Sequence, residues 1–290
     1  MTIFKKNYEL VQDAPSALSW EAYERDALNE WNKLISGQHA DDERMIHEFL
    51  EKNPSFVPGA FSFPTSGHGP IFGGVFSKPP LTGIGIRIPD FMWLATATDI
   101  ISPVFVEIET PAKHWFTKKG QPRAEWTQAR NQIVTWKQWM NKVANKAVFL
   151  EYYGLSSEYR HFEIKPQFVL VYGRRREFDE DPTFRGIRAL QQGSDEFHIT
   201  FDRLCPDYNA RNYLTLKKEG EKVVAIVVPP TIRLGPGIAP LWLPVIGRPE
   251  AALSEFRMSE DRRKFVAGRF AYWDEWAKGG SHFYQAGDCE

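Results

Sequence analysis

The chain has 290 residues, 36 basic and 37 acidic, with a formal charge of −1; it is 42% hydrophobic and 25% charged. That composition is ordinary for soluble globular proteins, excludes a wholly disordered chain and leaves room for one or two domains. With no global basic excess, any nucleic-acid site has to be a local patch. Cys205 and Cys289 alone cannot build a disulfide framework or a four-cysteine zinc site. The start lacks the apolar run of a secretory signal, and nothing reaches the ~20 apolar residues of a membrane span. The best apolar run, Val223 to Val228, stops at Pro229-Pro230. No membrane partner and a cytoplasmic location are expected.

Ser19 is placed to cap a helix whose apolar residues Trp20, Tyr23, Ala27, Trp31 and Leu34 follow helical spacing, with Gly37 as its stop. A second helix is predicted from Asp42 to about Lys52, with Met45, Ile46, Phe49 and Leu50 inward and Asn53-Pro54 ending it. Residues 57–89 read as one long Gly/Pro/Phe-rich connection that includes Ser66-Gly67-His68-Gly69-Pro70 and Lys78-Pro79-Pro80. Strands are expected at Phe91 to Thr96 and Val104 to Glu109, joined around Thr98-Asp99. A long helix then runs from Pro122 to about Lys146, with Trp126, Ala129, Ile133, Trp136, Met140 and Val143 on its apolar stripe. Phe168 to Tyr172 reads as a buried strand, Pro182 to Gln192 as a polar helix, and Glu196 to Phe201 as a short strand. Tyr213 to Leu216 and Lys222 to Val228 look like a hairpin turning at Glu219-Gly220. A Pro/Gly-rich crossing, Pro229 to Pro249, leads to a helix between Ser259 and Gly279-Gly280. The order implies a mixed α/β core.

The chemistry concentrates in Pro89-Asp90-Phe91 and Val106-Glu107-Ile108-Glu109-Thr110-Pro111. Side chains alternate along a strand, so Glu107 and Glu109 share a face opposite Val106 and Ile108. A turn at Thr98-Asp99 sets Asp90 opposite Glu107, with Cβ atoms ~5 Å apart, where like charges destabilise a sheet. Three clustered carboxylates call for a cation, and Mg²⁺ (or Mn²⁺) suits hard oxygen ligands. A solvated edge strand would show the same E-x-E alternation. Helix geometry sets Gln132 roughly 70° from the centre of its apolar stripe, close enough to flank the core, and Gln128 roughly 110° away. In the second helix Glu43 flanks the buried stripe and Glu51 points away from it. Arg174-Arg175-Arg176 is either a phosphate grip or a solvated charge run. Cys205, with no histidine nearby, reads as a buried structural thiol. No G-x-S-x-G elbow, P-loop or H-E-x-x-H occurs.

These pieces resemble the PD-(D/E)XK nuclease superfamily, and more narrowly the Shedu family of bacterial anti-phage nucleases. The resemblance rests on Phe49-Leu50-Glu51-Lys52-Asn53-Pro54, Pro89-Asp90-Phe91, Glu107-Ile108-Glu109-Thr110-Pro111 and Gln128-Ala129-x-x-Gln132-x-x-x-Trp136. Val171-Tyr172-Gly173-Arg174-Arg175 and Ile199-Thr200-Phe201-Asp202-Arg203-Leu204 follow in the expected order. It implies a restriction-endonuclease-like core at residues 41–215, a mixed sheet flanked by helices, between a helical extension at 1–40 and a C-terminal extension at 216–290. It also implies Mg²⁺-dependent cleavage of phage or foreign DNA by a homo-oligomer. Asp90 and Glu107 would hold the metal, assisted by Glu43, while Gln132 would support the site. The chain departs from the family at Glu109, where the usual pattern has lysine; Glu109 would be a third acid or water-orienting base. Lys113 is the nearest replacement cation and, with Arg174, Arg175 and Arg176, a candidate phosphate contact. The alternative is a catalytically silent nuclease-fold module that binds DNA or a protein, with Glu109 marking a lost site. A carbohydrate-directed protein is the weaker third reading, since the acids cluster on a single hairpin.

Overall fold

The computed structural model describes residues 6–62, 68–280, 284–285 and 287–290. Helix α1 (Trp20–Ser36) starts where predicted, the Ser19 hydroxyl accepting the Ala22 amide at 3.2 Å. Helix α2 (Glu43–Lys52) is capped by Asp42, whose carboxylate accepts the Met45 amide at 3.1 Å. Ile46, Phe49 and Leu50 are buried as expected, while Met45 is only half-buried.

The predicted connection over residues 57–89 contains a strand, β1 (Gly69–Ser77). Its glycines hide it from a hydrophobic pattern, yet close backbone approach requires them. A Cβ on Gly74 would lie 2.7 Å from the Leu214 carbonyl oxygen, and one on Gly73 (φ +56°) 2.7 Å from Trp242 Nε1. Ser66 and Gly67 of that segment lie outside the described residues. Strands β2 (Phe91–Ala97) and β3 (Ile100–Ile108) form the expected hairpin around Thr98-Asp99, pairing Ala97 with Ile100 and Phe91 with Val106.

The single helix predicted over 122–146 is two. Helix α3 (Ala124–Asn141) begins two residues late because Pro122 pairs with Phe116 in a β-bridge. Lys142 (ψ 120°) breaks the run before α4 (Val143–Tyr152). Asn145, fully buried, holds the break by donating to the Trp139 carbonyl at 3.0 Å and accepting the Ile84 amide at 3.0 Å. The break turns Val143 outward, 83% exposed, rather than onto the apolar stripe.

There follow β4 (Glu163–Ile164), β5 (Gln167–Val171), α5 (Arg176–Glu180), α6 (Thr183–Gln191) and β6 (Glu196–Ile199). Strands β7 (Leu214–Glu219) and β8 (Lys222–Val227) make the expected hairpin. The Pro/Gly-rich crossing carries α7 (Ala239–Trp242), β9 (Val245–Ile246) and α8 (Arg248–Ser254) before α9 (Glu260–Lys278). Among the described residues the strands form one nine-stranded mixed sheet in the order β6-β5-β3-β2-β1-β7-β8-β9, with β4 beside β3. Cys205 is exposed, not buried, because it follows the short turn Phe201–Arg203 between Leu204 and Pro206.

Two apolar cores follow from strand alternation. Val104 and Val106 face α1 and α2, whereas Phe105 faces α3 and α4 in a core that also takes in α7, α8 and α9. Because β3, β5 and β6 are parallel, their C-terminal ends lie at one edge: Ile108 pairs with Val171, and Val171 with Ile199. This edge receives the loops that carry Glu109, Lys113 and Arg174 to Arg176.

Trp31 ties the N-terminal helix into this core, 1% exposed and with its ring centroid 5.0 Å from Phe49 and 6.0 Å from Phe201. Trp31→Ala should cost ~3–5 kcal/mol of unfolding free energy, as large-to-small core changes do. Urea denaturation checks this; a midpoint matching wild type would mean α1 is not part of the cooperative fold.

Candidate active site

The hairpin register sets the site. One step beyond the last β2–β3 pair, Asp90 faces Glu107. Asp90, Glu107 and Glu109 are 4%, 7% and 7% exposed, so the solvated-edge reading of the E-x-E strand does not describe them. The Ile108 amide donates to Asp90 Oδ2 at 2.8 Å, and Lys78 Nζ forms an ion pair with Asp90 Oδ1. Lys78 directly follows β1 and also donates its backbone N–H to the Asp90 carbonyl at 2.8 Å. It has a left-handed backbone, φ +46°, although it is not glycine and precedes Pro79-Pro80. Such conformations cost of order 1–3 kcal/mol and persist where the surroundings enforce them.

Glu107 is held well above the usual carboxylate range, first by burial, then by the charges of Asp90 and Glu109 and a hydrogen bond with Asp90; Lys78 pulls the other way. Glu109 forms an ion pair with Lys113. Its amide donates to the Val171 carbonyl at 3.0 Å, which fixes where the strand ends. Glu43, in the first turn of α2, is raised by burial and then by Asp90 and Glu109, with Lys113 and Lys78 opposing. Asp90, Glu107, Glu109, Lys113 and Glu43 are therefore electrostatic neighbours.

Two further groups belong here that the sequence reading did not single out. Lys78 lies 12 positions before Asp90 and reaches it only because β1 pairs with β2. His47 follows Glu43 by one helical turn, stacks on Phe91 with ring centroids 4.6 Å apart, and has a buried Nε2 with no hydrogen-bond partner among the described residues. Its pKa is lowered by burial and then by Lys78, while Asp90 opposes. The four-residue spacing from Glu43 was the available signal. Glu51 lies one turn further on and does not point away: its Oε1 accepts the Ser77 hydroxyl at 2.6 Å.

Other candidates lie apart. Gln132 is exposed on α3, and the contact it makes is through its backbone carbonyl, which accepts the Thr135 hydroxyl at 2.7 Å. Arg174 binds Asp202 at 2.8 Å and the carbonyl of Ile35, bracing the end of α1. Arg176 is paired with Glu180 at 2.5 Å on the surface. The Arg175 side chain is exposed, with its backbone N–H held by Asp202 at 2.6 Å. The basic run thus splits into one brace, one surface pair and one open guanidinium.

Chemically, Asp90 and Glu107 form a pair of hard oxygen donors, and Lys78 forms an ion pair with Asp90. Among the described residues no group of three His, Cys, Asp or Glu is arranged to hold a metal. Mg²⁺ needs fewer, usually one or two carboxylates completed by water and substrate phosphate, so the donor pair fits such an ion.

The raised Glu107 pKa has a signed consequence. Folded Glu107 keeps its proton to higher pH than an unfolded glutamate, so its stabilising contribution is complete in acid and is lost as pH rises through the folded pKa. Without divalent cations, Glu107→Gln should therefore melt a few degrees above wild type at mildly alkaline pH, about what 1 kcal/mol gives in a chain this size. The difference should shrink in acid. Thermal melts across pH decide; parallel curves would contradict the buried-acid assignment.

A comparison with curated proteins gives no match. The family model for the C-terminal region of the Shedu protein SduA matches residues 40–205, from just before α2 to just beyond β6. That span covers more than half of the chain and contains Glu43, Lys78, Asp90, Glu107, Glu109, Lys113 and the three arginines. No helix among the described residues is long and apolar enough to cross a membrane. With the hairpin acids, the Gly173 turn and the arginine run all inside the matched span, the chain belongs to the Shedu family and so to anti-phage defence.

Proposed function

We propose that the chain is a metal-dependent endodeoxyribonuclease with a PD-(D/E)XK-like core, cutting phage or foreign DNA. The observation that carries this reading is the burial of Asp90 and Glu107 side by side at the cross-strand position. Asp90 and Glu107 would hold a divalent cation, Mg²⁺ or Mn²⁺, with Glu43 at the margin. When bound, such an ion polarises a phosphodiester and lowers the pKa of an attacking water. The Ile108 amide fixes the Asp90 carboxylate in place. Glu109, paired with Lys113, would orient the water and take its proton. Local basic groups beside the acids, rather than any global excess, would meet the DNA phosphates, since the chain carries a formal charge of −1.

A specific observation favours a second reading, a silent nuclease-fold module that binds DNA or a protein: Asp90 and Glu109 already each have a lysine partner. Plasmid cleavage with Mg²⁺, Mn²⁺ and EDTA side by side separates the two. The nuclease reading expects metal-dependent cutting. Glu109→Gln should lower the rate by roughly a hundredfold or more, the range for a positioned acid–base group, and Asp90→Asn should remove metal-dependent cutting by taking away a hard oxygen ligand, each with folding intact. Purified protein that binds DNA and never cuts it with either metal would favour the silent module. Full activity in Glu109→Gln would remove Glu109 from the mechanism.

A further inference from the structure

At the C-terminal ends of β5 and β6, a cavity of about 650 Å³ opens between α5, α6 and the turn after β6. That volume falls within the 300–1,000 Å³ range typical of small-molecule sites. Four arginines line it: Arg175, Arg185, Arg188 and Arg203. Arg185 is neutralised by Asp179 at 2.6 Å. Asp202, also in the lining, is taken up by Arg174 and by the Arg175 backbone N–H. Among the described residues, the guanidiniums of Arg175, Arg188 and Arg203 have no carboxylate partner, leaving a surplus of about three positive charges around one concavity.

Arg188 shows that this is not only a solvated charge run. It is half-buried on α6, with its guanidinium 4.5 Å from the Phe178 ring centroid and 5.6 Å from that of Trp115. Burial, then the neighbouring charges of Arg203 and Arg185, lowers its pKa below the usual arginine range. Like charges gathered at a half-buried position are costly unless an anion joins them. Guanidinium forks match phosphate oxygens in bidentate fashion. Arg188 is half-buried within a concavity rather than spread on an open face, an arrangement that suits a small ligand better than a duplex backbone.

We propose that this cavity binds a small ligand of nucleotide size bearing two or three phosphate charges, through Arg175, Arg188 and Arg203. The site is separate from the acid pair, and its occupancy needs no cleavage. The test is titration calorimetry of the full chain in EDTA with ATP, inorganic pyrophosphate, citrate and a short DNA duplex. Saturable binding of ATP and pyrophosphate is expected, weakened at least about tenfold by Arg203→Gln and by Arg188→Met, as loss of a charge-assisted contact implies. Arg203 is exposed, so its variant remains informative if Arg188→Met folds poorly. Lys264→Gln, on the far helix α9, should bind like wild type. Absence of saturable binding by ATP and pyrophosphate would overturn the proposal, as would affinities that neither arginine variant changes. Citrate binding as tightly as pyrophosphate would overturn the phosphate assignment, and binding of the duplex alone would transfer these arginines to the DNA backbone.

Discussion

Two carboxylates buried opposite one another on neighbouring strands repel, and the centre of this protein is arranged around that repulsion. Its three answers come from two parts of the chain, the end of β3 and the residue after β1. Burial and the neighbouring acids raise the Glu107 pKa, so it holds its proton to higher pH than an ordinary glutamate. The Ile108 amide supplies a fixed dipole. Lys78 supplies a full charge from the end of β1. Each answer requires β1, β2 and β3 to stay in register, since the side-chain period of two means that a one-residue slip would turn the acids to the other face. The glycine-rich strand and the two-residue hairpin turn are therefore electrostatic devices as well as structural ones.

Much of this was legible in the sequence, where local rules decide. Ser19, Asp42 and Ser259 are side chains that cap helices, and they do so here. The Asp90–Glu107 pairing follows from counting outward from Thr98-Asp99, because a tight hairpin leaves no freedom of register. The illegible parts depend on distant neighbours. Strand β1 carries glycines because Leu214 and Trp242, far along the chain, press against it. The break between α3 and α4 rests on Asn145 reaching Trp139 and Ile84. Lys78 has no local signal, whereas Lys113, four residues from Glu109, was within reach of sequence reasoning. The position of Gln132 relative to the apolar stripe was estimated from an ideal helix, and a moderate angular offset is enough to leave a side chain in solvent.

The parallel arrangement of β3, β5 and β6 explains why so many polar groups converge. Loops leaving the carboxyl ends of neighbouring parallel strands emerge together, the usual location of ligand sites in such sheets. Gly173, with φ +58°, makes the turn from β5. A Cβ there would lie 2.7 Å from the Lys113 carbonyl oxygen and 2.8 Å from Trp115 Nε1. The loop bearing Lys113 thus presses against the loop bearing the arginines. The two halves of this edge are held in contact by that packing and by Glu177 of α5, whose carboxylate accepts the Trp115 and Phe116 amides at 2.9 and 2.8 Å.

The backbone at Lys78 carries a consequence of its own. A left-handed residue ahead of Pro79-Pro80 is a place where glycine would relax the chain, yet glycine has no ammonium group to offer Asp90. Conformational ease and charge placement therefore select opposite residues at the same position. Side chains at such a position are poor targets for stabilising redesign: a consensus or glycine replacement would ease the backbone while leaving a buried acid without its counterion.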